Sequence, residues 1–362
     1  VKIVADENIP QVSHYFGDVT LKQGRQMSRA DLQDVEILLV RSVTKVNQAL
    51  LEGAPVKFVG TTTTGMDHFD TTWMDAHGVL YCAAEGCNAV AVMEYVVAII
   101  ASLQKRKFLP EKKLRAAVIG VGRIGSLVSH ALKLLNFEVI ECDPIRALQD
   151  PHYVSTPLEK IGDVDFISLH TPLTTDGSYP TFHMIEKNFL QRQKANCILL
   201  NTGRGSVIDF EDLKLYGGHL IWCLDVFENE PFIDFAVLDE ALIATPHIAG
   251  YSEQAKYRGI KMIYQSARKL NIIHHDVELL PFPRKNISFH RINDWRDVVL
   301  TTYDPYLTSA KLKSQMIEDP DHAFDKMRNE FKERSEFTFI DLPKLDLKEK
   351  DIEVLRVLNF EI

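Results

Sequence analysis

Cysteine is scarce in this chain, and what there is shows no pairing. The five cysteines, Cys82, Cys87, Cys142, Cys197 and Cys223, have no CxxC spacing and sit mostly in apolar, strand-like surroundings. That argues against a disulfide framework or a thiolate metal site and for reduced, buried thiols in a cytoplasmic protein; no metal is expected. Positive charge is also in deficit, with 41 Lys and Arg against 50 Asp and Glu and a net charge of -9. A phosphate-neutralising surface needs clustered excess Lys and Arg, so nucleic acid is not an expected partner. No apolar run is long enough for a bilayer. The longest, AVAVMEYVVAIIASL at residues 89–103, is interrupted by Glu94 and falls short of the roughly 20 residues a crossing helix requires. The start, VKIVADENIP, places Asp6 and Glu7 where a secretory signal would need basic and then apolar residues. A soluble chain with no membrane partner is expected. Repeats and low-complexity tracts are missing as well.

What is present is a recurrence of short Val, Ile and Leu runs separated by segments with helical spacing. KIVA, EILLVRS, KFVGTT and VLYCAA come first; AAVIGVG, EVIECD, DFISLH, NCILLN, LIWCLDV and LIATPH follow. Continuous apolar strands alternating with helices imply parallel sheets covered on both faces, the α/β class. Two sets imply two units, and 362 residues with 46% hydrophobic content suffice for two or more cores. The basic run KRKFLPEKKLR, residues 105–115, reads as a solvated hinge between them. After Leu280 the texture changes to charged and aromatic residues, and Phe324, Phe331, Phe337 and Phe339 need burial. A third, small α+β unit is expected there.

The stretch AAVIGVGRIGSLVSHALKLLNFEVIECDP reads as strand, glycine turn, helix and a second strand ending in an acid. Gly120 permits the tight turn, Gly122 lets the backbone approach a pyrophosphate, and Gly125 lets helix and strand pack closely; Arg123 and Ile124 lie between the last two. The helix N-terminus then meets the phosphate charge. Asp143 ends the second strand, where a carboxylate accepts from ribose hydroxyls and repels a 2′-phosphate, so NAD is expected over NADP, with Arg146 nearby as the one feature favouring the latter.

Three further segments follow in chain order: NTGRGSVID, LDVFENEP and TPHIAGYS. Oxidation of a 2-hydroxy acid needs a cation for the carboxylate, a base for the hydroxyl proton and an acceptor for the hydride. Arg204, between two glycines, offers a planar fork for a carboxylate. Glu230, with Glu228 as rival, is placed to bond the second ring nitrogen of His247 and fix its tautomer. Each residue alone has an ordinary structural explanation; an Arg, a Glu and a His at successive strand ends of a nucleotide-binding sheet form a pattern.

The segments GVGRIG, LHTPLT, NTGRG, LDVFENEP and TPHIAG resemble the D-isomer-specific 2-hydroxyacid dehydrogenase family, across the chain up to about residue 280. The resemblance implies two parallel-sheet Rossmann/flavodoxin-like domains: a discontinuous substrate-binding domain, residues 1–92 and 250–280, and an NAD-binding domain, residues 93–249. It implies a catalytic set of Arg204, Glu230 and His247 in the cleft between the domains. It also implies NAD contacts at Asp143, Thr171, Asp225 and Gly250, and substrate contacts at Ser42, Thr63 and Tyr251. ADENIP, VRSVTKVN, VGTTTTGMDHFD, TPLTTDGSYPT and FDKMRNEFKERSEF narrow the likeness to a branch acting on a small phosphorylated 2-hydroxy acid, with residues 281–362 as a homodimerisation domain. A substrate phosphate requires another cation, for which Arg41 is the candidate and Arg334 of a partner chain the second. Phosphoglycerate or glycerate oxidation and an NAD-sensing corepressor-like scaffold are the alternative functions.

Overall fold

The computed structural model describes residues 1–331 and 334–362; Lys332 and Glu333, within the FKERSEF stretch, lie outside the described residues. The chain divides into two compact units, 1–88 with 252–283 and 89–251 with 284–362.

The first unit is built on five parallel strands, β1 (Ile3–Asp6), β2 (Thr20–Lys22), β3 (Ile37–Val40), β4 (Phe58–Thr61) and β5 (Leu80–Ala83), in the order β2-β1-β3-β4-β5. Every residue of β1, β3 and β4 is buried. That is why IVAD, ILLV and FVGT show no polar alternation: both faces are covered. One cover is the helix Glu253–Lys269, started by Ser252 Oγ accepting from Ala255 N–H at 2.9 Å. Its Ile260, Ile263 and Ala267 enter the core beside Ile37, Leu39 and Phe58.

The second unit carries six parallel strands, β6 (Leu114–Ile119), β7 (Phe137–Cys142), β8 (Phe166–Leu169), β9 (Ile198–Asn201), β10 (Ile221–Leu224) and β11 (Ile243–Ala244), in the order β11-β10-β9-β8-β6-β7. From β6 the chain runs outward to β7 and then returns to the other side as β8. The two loops leaving β6 and β8 therefore diverge and open a crevice at the carboxyl ends of the strands. Alternate residues serve opposite faces: Val118, Phe166 and Leu200 belong to one core, Ile119, Ile167 and Leu199 to the other.

The described residues of 284–362 supply four helices, Trp295–Thr302, Pro305–Glu318, Ala323–Glu330 and Glu349–Val357, and two short parallel strands, β12 (Lys285–Asn286) and β13 (Ile340–Asp341). Among the described residues their buried apolar side chains join the cores of the six-stranded sheet and form no separate one. Trp295, Val299, Phe337 and Leu355 join one face of the six-stranded sheet, while Leu312, Met316, Phe324 and Met327 join the other. Glu94, which interrupts the apolar run of helix Ala89–Lys105, is buried and accepts from Phe337 N–H at 2.8 Å. The compact units change at 88/89, 251/252 and 283/284, where the family resemblance implies 92/93, 249/250 and 280/281. The long helix belongs to the second unit from its first residue, Ala89; of the C-terminal aromatics Phe324 and Phe337 are buried on the sheet, Phe331 packs against it partly buried, and Phe339 is half-buried outside both cores.

The basic run differs from a solvated hinge. Lys105 pairs with Asp297 at 2.6 Å, and Arg106 pairs with Asp304 at 2.8 Å and lies over Tyr306. Its charges fasten the long helix to the C-terminal segment. All five cysteines are free, four of them buried, and burial pushes the Cys197 thiol up to about 12. Among the described residues no helix is long and apolar enough to cross a membrane.

Candidate active site

The loop leaving β6 is shaped by contacts that only glycine permits. Gly120 has φ +84°, and a Cβ there would lie 2.7 Å from Thr171 N. A Cβ on Gly125 would sit 1.9 Å from Gly120 O, so helix Arg123–Leu134 packs directly on the turn. Gly122, by contrast, faces open space. It stands at the N-cap of that helix, whose first N–H groups receive no side-chain cap, and this is the donor set a pyrophosphate uses. Arg123 is exposed and Ile124 packs on the core beneath.

Asp143 follows β7 and closes the turn: its Oδ2 accepts from Val121 N–H at 2.8 Å and its Oδ1 from Arg146 N–H at 2.9 Å. Each oxygen keeps a lone pair for a ribose hydroxyl. Arg146 donates to Val121 O at 3.0 Å and Ser126 Oγ at 3.1 Å and stacks on Tyr153. Its charge braces the glycine turn, and the feature that favoured NADP is thereby accounted for. Thr171, at the end of β8 across the crevice, has a buried hydroxyl with no partner among the described residues. A glycine cradle, an uncapped helix start, an acid and an unsatisfied hydroxyl together fit NAD.

Three loops bring the catalytic candidates together. Beyond β11, Thr245 and Pro246 lead to His247, which adopts φ +55°, a left-handed conformation that costs a non-glycine residue about 1 kcal/mol. The loop is held by Asp225 at the end of β10. Its carbonyl accepts from His247 N–H at 2.8 Å, its Oδ1 from Thr245 Oγ1 at 2.6 Å and Ile248 N–H at 2.8 Å, and its Oδ2 from Ala249 N–H at 2.8 Å. Since the Thr245 hydrogen goes to Asp225, the buried Tyr95 hydroxyl is the donor in its 2.6 Å contact with Thr245 Oγ1. Burial raises the Asp225 carboxyl above its ordinary range, opposed by His247 and these hydrogen bonds. The residue expected to accept from a nicotinamide amide is 1% exposed and engages both oxygens in folding the histidine loop. Gly250 follows, half-buried.

Glu230 Oε2 lies 2.7 Å from His247 Nδ1, and Oε1 accepts from Phe227 N–H at 2.9 Å. Burial pushes the Glu230 carboxyl up, but His247, Arg328 and the Phe227 N–H outweigh it and hold the group below its ordinary value. With Glu230 ionised, Nδ1 is the protonated nitrogen and Nε2 is the basic one. The rival Glu228 is engaged elsewhere, 2.7 Å from His183 Nε2, whose other nitrogen is 3.2 Å from Asp209. Arg204 follows β9, its loop fixed by Asn201, which donates to Arg204 O at 2.8 Å and accepts from Gly203 N–H at 3.0 Å. A Cβ on Gly205 would fall 2.0 Å from the Phe227 carbonyl carbon. The Arg204 and Glu230 loops are therefore in backbone contact, and the Glu230 and His247 loops are hydrogen-bonded.

Two residues of this region escaped the sequence reading. His170 bridges the loops after β8 and β9, 2.8 Å from Ser168 Oγ and 3.0 Å from Thr202 Oγ1, and desolvation lowers it to about 3, so it is neutral. Its place in LHTPLT, two residues after a strand serine, was the available signal. Arg328 donates from Nε to the Tyr251 hydroxyl at 3.0 Å; in the string DKMRNEF nothing distinguishes it from an exposed helix arginine.

Residues 100–249 match the family model for the D-isomer specific 2-hydroxyacid dehydrogenase NAD-binding domain. The chain is 42% identical over 349 residues to an erythronate-4-phosphate dehydrogenase of Coxiella burnetii, with 94% of this chain and 95% of the relative covered. It is 38% identical to the enzyme of that name from Saccharophagus degradans, covering 93% of each. The chain belongs to the erythronate-4-phosphate dehydrogenase family. Solved structures share the fold at lower identity: a 3-phosphoglycerate dehydrogenase from Entamoeba histolytica (TM-score 0.63, 19% identity, 78% of this chain and 99% of that one) and a D-lactate dehydrogenase from Aquifex aeolicus (TM-score 0.58, 23% identity, 75% and 96%). This erythronate-4-phosphate dehydrogenase family member is an NAD-dependent enzyme of the 2-hydroxyacid dehydrogenase class.

The substrate candidates of the first unit vary in their surroundings. Ser42 is exposed in the turn after β3, and Thr63 Oγ1 lies 2.7 Å from Thr61 Oγ1, which is itself 3.2 Å from His68 Nε2. Arg41 Nε is 3.1 Å from Oδ1 of the fully buried Asp6, so the ADENIP acid neutralises the candidate phosphate cation of this erythronate-4-phosphate dehydrogenase relative. Arg334 is 6% exposed and donates within its own chain to the carbonyls of Ala91, Ala249 (2.9 Å) and Tyr251 (3.3 Å). A guanidinium buried on three carbonyls braces the histidine loop and is not displayed to a partner chain.

Proposed function

We propose that the chain oxidises 4-phospho-D-erythronate at C2 to (R)-3-hydroxy-2-oxo-4-phosphooxybutanoate, a step of pyridoxal 5′-phosphate (vitamin B6) biosynthesis. The substrate follows from the relatives' shared activity at 37–42% identity across nearly the whole chain. The observation that carries the chemistry is the 2.7 Å contact of His247 Nδ1 with Glu230, which leaves Nε2 as a base. NAD, when bound, accepts the C2 hydride. Nε2 of His247 takes the proton of the C2 hydroxyl as the C–O bond becomes a carbonyl, and Glu230 stabilises the imidazolium that results. Arg204 holds the substrate carboxylate and the charge at the reacting oxygen. Gly120, Gly122, Arg123, Ile124, Gly125, Asp143, Thr171, Asp225 and Gly250 serve the cofactor, Asp225 also holding the histidine loop, and Ser42, Thr63, Tyr251 and Arg41 are substrate contacts.

Cytoplasmic location and a homodimer through residues 281–362 belong to the same proposal; the free cysteines agree with the first, and the second rests on the likeness to relatives that extends over 94% of the chain. The alternative, a scaffold that senses NAD, would bind NAD and form no NADH on 4-phosphoerythronate. His247→Ala and Arg204→Ala should each lower kcat/KM at least a thousandfold with NAD affinity retained; turnover within tenfold of wild type in either variant removes that residue from the mechanism.

A further inference from the structure

We infer that Arg328, from the C-terminal helix Ala323–Glu330, is a positioning residue of the active site, fixing the Tyr251 hydroxyl and placing a cation behind the Glu230–His247 pair. The inference rests on the proposed function for its kinetic readouts. Arg328 is 9% exposed; its Nε is 3.0 Å from the Tyr251 hydroxyl and its guanidinium carbon 5.9 Å from the ring centroid. The helix is anchored at the catalytic loop itself. Phe324 packs edge-on against Phe227 with ring centroids 6.1 Å apart, and Phe227 N–H is the backbone donor to Glu230. Ala323 and Met327 are buried in the same core.

A buried guanidinium demands compensation. Burial acts against its charge, while Tyr251, Glu230 and Asp325 outweigh that burial, and Arg328 in turn favours the ionised form of Glu230. Among the described residues Glu230 faces the charge of Arg328, His247 faces Asp225, and Arg328 in turn faces Asp325. Removing the cation raises the proton affinity of the Glu230–His247 hydrogen-bonded pair as a unit, beginning at Glu230. Oxidation needs neutral His247, so the acid limb of activity must move to higher pH. A residue that merely filled space would leave that limb where it is.

The test compares wild type, Arg328→Met, Arg328→Lys and Tyr251→Phe. Arg328→Met should shift the acid limb of kcat/KM upward by about one pH unit and raise KM for 4-phosphoerythronate about tenfold. Arg328→Lys keeps the charge and should leave the limb in place while KM still rises. In the Tyr251→Phe background Arg328→Lys should change KM no further. NMR titration of the His247 ring reads the ionic effect without turnover: its midpoint should rise in Arg328→Met and not in Arg328→Lys. An unmoved midpoint in Arg328→Met, or equal shifts in the Met and Lys variants, overturns the inference. If Arg328→Met does not fold, KM values for Arg328→Lys that fail to depend on Tyr251 overturn it. A wild type that makes no NADH rejects the substrate assignment, and the NMR titration then still decides the role of Arg328.

Discussion

Replacing Glu230 by Gln probes the catalytic pair without changing its size. Both carboxylate oxygens are acceptors in the structure, one from Phe227 N–H at 2.9 Å and one facing His247 Nδ1 at 2.7 Å. A glutamine has one oxygen to offer. If it stays on Phe227 N–H, the amide nitrogen confronts Nδ1 and drives the ring proton to Nε2, the nitrogen that must be a base. If it turns to Nδ1, the Phe227 N–H faces an N–H group and loses its partner at about 1–3 kcal/mol. Either way the imidazolium formed during oxidation loses an ionic hydrogen bond worth about 1.5–3 kcal/mol, and the wrong tautomer adds to that loss. The expected fall in kcat is about 10²–10⁴-fold, with KM for NAD unchanged. Steady-state rates of NADH formation across pH, with a thermal melt to confirm folding, provide the assay. A folded Glu230→Gln enzyme with kcat within threefold of wild type would refute the pairing as the source of the base.

The cofactor crevice yields two contrasting substitutions. Thr171→Val removes a buried hydroxyl that has no partner among the described residues; the melting temperature should hold or rise slightly while NAD affinity, read by calorimetry, falls roughly fivefold. Gly125→Ala forces a methyl group to within 1.9 Å of Gly120 O, so stability should fall by about 1–3 kcal/mol and NAD affinity with it. His170 gives a pH signature. Its proton affinity in the folded chain lies below the ordinary histidine value, so the unfolded chain binds more protons between about pH 6.5 and 3 and stability falls as pH drops through that window. Urea unfolding at pH 7 and pH 5 should show a smaller acid loss in His170→Asn than in wild type, by about 1 kcal/mol per pH unit; equal losses would show that His170 does not titrate as described.

Much of the second unit was legible in sequence because its signals are local. A glycine turn, the strand before it, the helix after it and Asp143 lie within one βαβ stretch, and the structure joins them by direct contacts such as Gly125 on Gly120 and Asp143 on Val121. Glu230 could be separated from Glu228 only in three dimensions, since the two differ by where the loop turns after Phe227. The burial of Asp6 under Arg41 and of Arg334 under Ala91 and Ala249 was beyond reach, because each cation meets its partner across a long stretch of sequence. The same holds for the C-terminal residues. Their aromatics announced burial, but which surface receives them is a property of the sheet they cover.

The most direct measurement is the initial rate of NADH formation by the full chain with NAD and 4-phospho-D-erythronate, alongside 3-phosphoglycerate and glycerate, repeated with His247→Ala. The account predicts a kcat/KM on 4-phosphoerythronate at least a hundredfold above the other two acids, abolished by the substitution. Equal rates on all three acids, or a His247→Ala enzyme that keeps its turnover, would contradict it.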